Sequence, residues 1–263
     1  MRVLLAIVLV TGCAFEHGEL PGDDGSGETG SGSGTGSDNT GDTSTLRVCR
    51  FPDAALRLCV EFDDRVYNPV VHDASAAQMD ALADNVNEWQ RGGSYAAQVN
   101  YGSDLRIPET PNLDIAGPLS IEMWVAAGFD QDAYLLRNDG QYVVTVDDDG
   151  HITCQLAGVA ATSQTSIRNG SWAHVGCTYD QSQVKVWING KVQGCRGTNV
   201  AVSTTGTSGT RLAPAWIGAI DDIRINARAL SLAEMCVRAG APAGCSDDCP
   251  TGGSGGPGPG GGD

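Results

Sequence analysis

Cysteines, carboxylates and histidines are the residues of this chain able to do chemistry, and their spacing decides between crosslinking, metal binding and catalysis. Nine cysteines occur, at Cys13, Cys49, Cys59, Cys154, Cys177, Cys195, Cys236, Cys245 and Cys249. No two are spaced as CxxC, and His17, His72, His151 and His174 are dispersed, so zinc-ligand spacing is missing. Setting Cys13 aside leaves an even set of eight, which in an exported chain reads as disulfides. Cys49 with Cys59 would close a short loop. Cys154 and Cys177 sit in two strand-like segments that could be neighbours, and Cys236 with Cys245 would staple the C-terminal segment. Cys195 and Cys249 stay open, since eight cysteines allow about a hundred pairings.

Catalysis by paired carboxylates needs two acids facing one cleft, about 5 to 5.5 Å apart in a retaining glycosidase. The nearest acidic run, Glu61-Phe62-Asp63-Asp64-Arg65-Val66, has no closing Glu, and Glu122 stands alone ahead of Met123 and Trp124. No GxSxG elbow occurs in a strand-to-helix setting, so acyl transfer has no support. Asp147-Asp148-Asp149-Gly150 lacks the alternating ligands and distal Glu of an EF-hand loop and reads as a charged hairpin tip. Asn169-Gly170-Ser171 fits a glycosylation sequon but is more simply a turn. With 32 acidic residues against 16 basic ones, a net charge of -16 argues against nucleic acid, whose phosphates need clustered Lys and Arg.

The elements that must position these residues begin after two segments unable to build a core. Arg2 precedes an apolar run from Val3 to Val10, too short to span a bilayer but long enough for a signal-peptide core. It ends in Leu9-Val10-Thr11-Gly12-Cys13, which resembles the lipobox of bacterial lipoproteins and implies that Cys13 is lipid-modified, anchoring the chain to a membrane. Ala14 follows, with no charged retention signal, which leans toward the outer membrane or cell surface. The expected organisation is a leader over 1–13, a Gly/Ser/Thr/Asp linker over 14–45, a folded domain over 46–249 and a Gly/Pro tail over 250–263.

Within the domain, apolar alternation separated by turn dipeptides predicts antiparallel strands. Ile121, Met123 and Val125 alternate with Glu122 and Trp124; Val184, Val186 and Ile188 alternate with Lys185 and Trp187. Further strands are expected over 56–62, 95–101, 134–137, 142–146, 151–156, 172–179, 191–196 and 220–226. Asp139-Gly140, Asp149-Gly150, Asn169-Gly170 and Asn189-Gly190 are expected to form type I′ hairpin turns. About a dozen strands imply two packed sheets. Ser231 and Glu234 form a capping box ahead of Leu232, Met235 and Cys236, so a short helix should end near Gly240.

Three separated stretches add a resemblance. Tyr95 to Asp104, through Leu105-Arg106-Ile107-Pro108 to Leu119-Ser120-Ile121-Glu122-Met123-Trp124-Val125, is the first. Ser171-Trp172-Ala173-His174-Val175, through Thr178-Tyr179-Asp180 to Trp187-Ile188-Asn189-Gly190-Lys191, is the second, and Ile217 to Ser231 the third. With Phe62-Asp63-Asp64 and Asp73-Ala74-Ser75 upstream, they resemble the laminin-G-like family of concanavalin A-like jelly rolls. The resemblance implies an all-β fold, a two-sheet antiparallel jelly-roll sandwich with a short C-terminal helix. It also implies a non-catalytic module binding carbohydrate or extracellular protein. A glycoside hydrolase or lyase on the same fold, or a purely structural surface lipoprotein, are the rivals. Some members hold calcium where first and last strands meet; the matching positions are Asn100, where the family usually has Asp, and Asp221 or Asp222, with a pair of solvated side chains near Arg224 as the alternative. Trp124, Trp172 and Trp187 offer buried area or, alternatively, a sugar-stacking platform.

Overall fold

The computed structural model describes residues 49, 53–63, 69–128, 131–167, 170–205, 208–241 and 244–251. Cys13, the expected leader and linker, most of the tail, and Asp64, Arg65, Val66 and Asn169 lie outside the described residues. In chain order the described strands are β1 (Leu56–Val60), β2 (Val70–Val71), β3 (Ala81–Asp84), β4 (Asn87–Arg91), β5 (Ser94–Val99), β6 (Asp104–Ile107), β7 (Leu119–Ala127) and β8 (Ala133–Asn138). They continue with β9 (Tyr142–Val146), β10 (His151–Leu156), β11 (Val159–Ser166), β12 (Ala173–Tyr179), β13 (Gln183–Ile188), β14 (Lys191–Gly197), β15 (Thr210–Leu212) and β16 (Gly218–Asn226); one helix, α1 (Leu232–Arg238), follows. The first sheet runs β14-β13-β12-β7-β16-β5-β4, with β1 paired to the later part of β16, and the second runs β11-β10-β9-β8-β15-β6-β3-β2. This is the expected antiparallel jelly-roll sandwich.

Alternation builds the two faces. In β7, Leu119, Ile121, Met123 and Val125 are buried in the inter-sheet core, while Ser120, Glu122, Trp124 and Ala126 take the opposite, outer face. β12, β13 and β16 supply Val175, Val186, Ile220 and Ile223 to the same core, and the second sheet answers with Leu135, Tyr142, Val144 and Ile152. The buried Tyr142 hydroxyl donates to the Leu113 carbonyl at 3.2 Å and accepts from Asn138 Nδ2, and burial pushes its pKa up to about 12. Upstream, the Asp73 carboxylate accepts from the backbone N–H groups of Cys59, Ser75 and Met79 and from the Ser75 hydroxyl, so this acid organises the turn after β1.

All eight described cysteines are paired. Cys49–Cys59 and Cys236–Cys245 close local loops, and Cys195 joins Cys249. Cys154–Cys177 is not a bridge between neighbouring strands: β10 and β12 lie in opposite sheets, so it crosses the core.

Two expectations about local structure need correction. Of the three expected turns that are fully described, Asn189-Gly190 shows positive φ at both residues (50° and 76°), as a type I′ turn demands, whereas at Asp139-Gly140 and Asp149-Gly150 only the glycine does. The pairing Asn138↔Tyr142 leaves three residues in the first of these loops, and Val146↔Ile152 leaves five in the second. Ala157-Gly158 instead makes the second such two-residue turn (49° and 74°), where alanine disguises the signal. The strands β2, β3, β4, β6, β11 and β15 were not expected: β2, β3, β6 and β15 are only two to four residues long, β4 is exposed along almost its whole length, and β11 is an edge strand built mainly from small and hydroxyl residues, so none shows a sustained apolar alternation.

Helix α1 carries the expected capping box between Ser231 and Glu234, and Gly240 follows at φ 63°. Arg228 fastens its start, bonding Asp53 at 2.7 Å and Glu234 at 2.6 Å, and this guanidinium holds the Glu234 carboxyl down to about 2. The helix covers one half of the outer face of the first sheet, where Met235 packs with Trp187, Val192 and Leu230.

Glycines mark the tight approaches. A Cβ at Gly194 would collide with the Thr162 backbone carbonyl of β11, which has nowhere to move, whereas one at Gly176 would meet the flexible end of Met235. Gly194→Ala is therefore expected to cost about 2–3 kcal/mol and Gly176→Ala about 1 kcal/mol, as measured by chemical denaturation; equal costs would contradict this account of the packing.

Candidate functional site

No described element covers the other half of that outer face. Register places its residues in rows: Ala219 opposite Gln98 and Ala126, and Asp221 opposite Trp124, which faces His174. β4 adds Trp89, opposite Ala96. The small side chains of Ala126 and Ala219 leave a floor, and a depression of ≈ 360 Å³ opens over it. Trp172 and Trp89 line it, together with the amides of Gln98 and Asn100 and the backbone of Gly128, Gly170 and Gly218. Among the described residues, no charged side chain lines it. Trp89 is 44% exposed, so an aromatic face is open to solvent. The end of the trough is pinned by Gln131, whose amide donates to the Ile217 carbonyl at 2.7 Å and accepts from the Ile217 N–H at 2.9 Å.

Beside the trough lies a charged layer. Arg91 Nη1 donates to Asp221 Oδ2 at 2.6 Å and Asp222 Oδ2 at 3.2 Å. Its guanidinium carbon lies 4.3 Å from the Trp124 ring centroid and 4.9 Å from that of Trp172. The carboxylates fix the cation and the cation fixes both indoles, so Trp172 is held in place before any ligand arrives. Asp222 sits at φ 51° in a bulge of β16, which lets the two acids flank one guanidinium. Burial and the neighbouring Asp222 carboxylate push Asp221 up to about 7 against the pull of Arg91.

Glu122, further along β7 and beneath α1, is fully enclosed. Burial alone would raise its pKa, but the adjoining His174 imidazole and the guanidinium groups of Arg224 and Arg238 hold it below the ordinary carboxylate range. Its Oε1 bonds Arg238 Nη1, and His174 Nε2 lies 3.4 Å from Oε2.

The expected site residues fare differently. Asn100 does not meet Asp221 and Asp222: Val99 pairs with Gly218, so Asn100 falls about 13 Å along the strand from Asp221 at ~3.3 Å per residue. Arg91 occupies the two carboxylates instead, so the expected calcium ligand set is not assembled. The cluster of potential ligands found among the described residues, Cys49, Cys59 and Glu61, has its cysteines bonded to each other. Trp187 is structural: it is 2% exposed under α1 and donates to Thr178 Oγ1 at 2.9 Å. Trp172 does reach the trough, and Trp89 was missed because its strand, Asn-Glu-Trp-Gln-Arg, shows no alternation. Gln98, inside an expected strand, carried no signal beyond being polar and outward.

Residues 99–236 match the family model of the concanavalin A-like lectin/glucanases superfamily. No curated protein matches the chain by sequence. Among solved structures, it resembles domain 4 of AbnA, a GH43 extracellular arabinanase from Geobacillus stearothermophilus solved with arabinotriose (TM-score 0.56, 18% identity, 70% of this chain and 98% of that one). It also resembles the binding domain of botulinum neurotoxin DC, solved with SialylT (0.54, 12%, 71% and 51%). A third is the binding domain of Paraclostridial Mosquitocidal Protein 1 (0.52, 15%, 70% and 52%). The chain thus spans about half the length of the two toxin domains, and at these identities the likeness is one of fold.

Asp221 gives a pH test. An acid whose folded pKa lies above its unfolded value of 3.8 binds more protons when folded, so stability falls as pH rises between about 4 and about 7. Asp221→Asn mimics the protonated acid. Thermal midpoints of the two proteins should coincide near pH 4 and diverge toward pH 7, the variant ending higher; parallel curves would contradict a raised pKa.

Proposed function

The chain belongs to the concanavalin A-like lectin/glucanase superfamily, and on that premise we propose that it is a non-catalytic module that binds neutral oligosaccharide in the trough lined by Trp89 and Trp172. One observation carries the reading: an alanine-floored depression on an exposed sheet face, lined by two indoles and supplied with uncharged amides at Gln98 and Asn100. Sugars present apolar C–H faces that stack on indole and hydroxyls that pair with amides, and the described lining offers both with no charged side chain among its residues. Arg91, held by Asp221 and Asp222, preorganises Trp172 and reduces the entropy lost on binding.

The hydrolase reading finds its best support in Asp221, whose pKa near 7 would suit a general acid. Against it, the Asp221 side chain is 3% exposed and engaged by Arg91, and Glu122 is enclosed and engaged by Arg238. A retaining or inverting mechanism needs both acids open to the sugar.

Four disulfides fit an oxidising, extracytoplasmic setting. No helix among the described residues is long and apolar enough to cross a membrane. Lipid modification at Cys13, with residues 14–45 as a tether, would present the trough outside the membrane; mass spectrometry of the mature protein tests that part.

Titration calorimetry against a panel of neutral plant and microbial oligosaccharides tests the trough. At least one should bind, and Trp172→Ala or Trp89→Ala should weaken it about tenfold, equivalent to ~1.4 kcal/mol of lost stacking. The absence of binding across the panel would overturn the proposal, and release of reducing ends by the purified domain would favour the enzyme.

A further inference from the structure

The outer face of the second sheet carries an arrangement that the trough does not explain. Arg211 on β15 pairs in register with Arg106 on β6 and with Arg137 on β8. Three guanidinium side chains therefore stand side by side across three strands, on one face. Like charges directly opposite on neighbouring strands destabilise a sheet, so the row has a cost that packing does not offset. It is also improbable by composition, in a chain with 16 basic residues against 32 acidic.

Local acids only partly answer it. Asp104 lies 3.1 Å from Arg106, and Asp139 engages Arg137 through Nε. Arg211 is exposed and has no carboxylate within ion-pair distance among the described residues. The Arg137 guanidinium carbon lies 4.9 Å from the Tyr134 ring centroid, and Tyr134 is 37% exposed, so an aromatic residue borders the row. A depression of ≈ 290 Å³ opens beside it, lined by Arg137, Arg211, Asp139, Ser208 and Gly209. The Gly209 N–H is bonded to Glu109 Oε2 at 2.6 Å, which pins the depression's rim.

We propose that the Arg106–Arg211–Arg137 row, with Tyr134, is a second binding site, specific for acidic oligosaccharides whose sugars bear carboxylate or sulfate groups. Guanidinium forks match planar carboxylates and sulfates bidentately, and a row across strands presents them in sequence to a chain of repeating anionic units. The overall charge of -16 repels polyanions at long range, but the screening length is about 8 Å at physiological salt, so a short anionic oligomer is governed by the local balance of the three guanidiniums against Asp104 and Asp139, in which Arg211 is the cation without a carboxylate partner among the described residues. The ligand class is opposite to that of the uncharged trough, and the two sites lie on the outer faces of different sheets.

Calorimetry with the full chain tests this, using an oligogalacturonate as the carboxylated probe, a sulfated oligosaccharide as the second, and a neutral oligomer of equal length as control. At least one acidic probe should bind, more weakly as salt rises, and which one binds identifies the anionic group. Arg211→Gln should weaken it about tenfold, the loss expected of a charge-assisted contact, and the triple change Arg106→Gln, Arg137→Gln and Arg211→Gln should abolish it. Trp172→Ala should leave acidic binding intact, which separates this site from the trough: failure of neutral binding alone sinks the trough, and failure of acidic binding alone sinks the row. The thermal midpoint of Arg211→Gln should hold or rise as repulsion is relieved. Equal binding of the neutral control at the row, undiminished binding by the triple variant, or a marked fall in that midpoint would overturn the proposal.

Discussion

Burial of the two inward sheet faces against each other is the constraint on which everything else in this domain rests. Ile121, Met123 and Val125 from one sheet meet Leu135, Val144 and Ile152 from the other, and Cys154–Cys177 ties the layers through the middle of that contact. At roughly 25 cal/mol per Å² of apolar surface removed from water, such a core is the dominant favourable contribution. Because alternation commits every second residue to it, the remaining residues are released from that contact wherever the helix does not cover them. The outer faces are therefore where variable chemistry can accumulate without loss of fold.

The two outer faces use that freedom differently. On the first sheet, α1 spreads over Trp187 and Gly176 and encloses Glu122, turning half of the face into a second small core. Enclosure there makes polar groups depend on one another, and Glu122 lies within ion-pair distance of Arg238, Arg224 and His174. Beyond the helix the same face opens, and the partners change character: one arginine braced by two acids holds two indoles beside an alanine floor. The helix thus sets the extent of the exposed face. On the second sheet no helix intervenes, and the face keeps a row of cations.

This division also explains why a shared fold says little about ligands here. The arabinanase domain and the toxin binding domains resemble this chain at identities of 18% or less, and at that distance the likeness is one of fold. Outward residues such as Trp89, Gln98 and Arg211 are free of that selection by packing, so each relative's recognition has to be read from its own surface.

Much of the architecture was legible in the residues. Alternation at 119–126 and 184–188, the Asn189-Gly190 turn and the Ser231–Glu234 capping box are local, since each depends on neighbours within a few positions. The short-range pairings Cys49–Cys59 and Cys236–Cys245 were legible for the same reason. Edge strands such as β4 hid, because a strand with no buried face shows no period. The chain also disclosed which residues point outward, but not which outward residues meet. Trp89 and Trp172, or Arg106, Arg137 and Arg211, become neighbours only through strand order, as when β16 enters between β7 and β5 and β15 between β8 and β6. Periodicity encodes the face of a residue; its cross-strand neighbours are set by pairings between segments distant in the chain, which only the folded sheets decide.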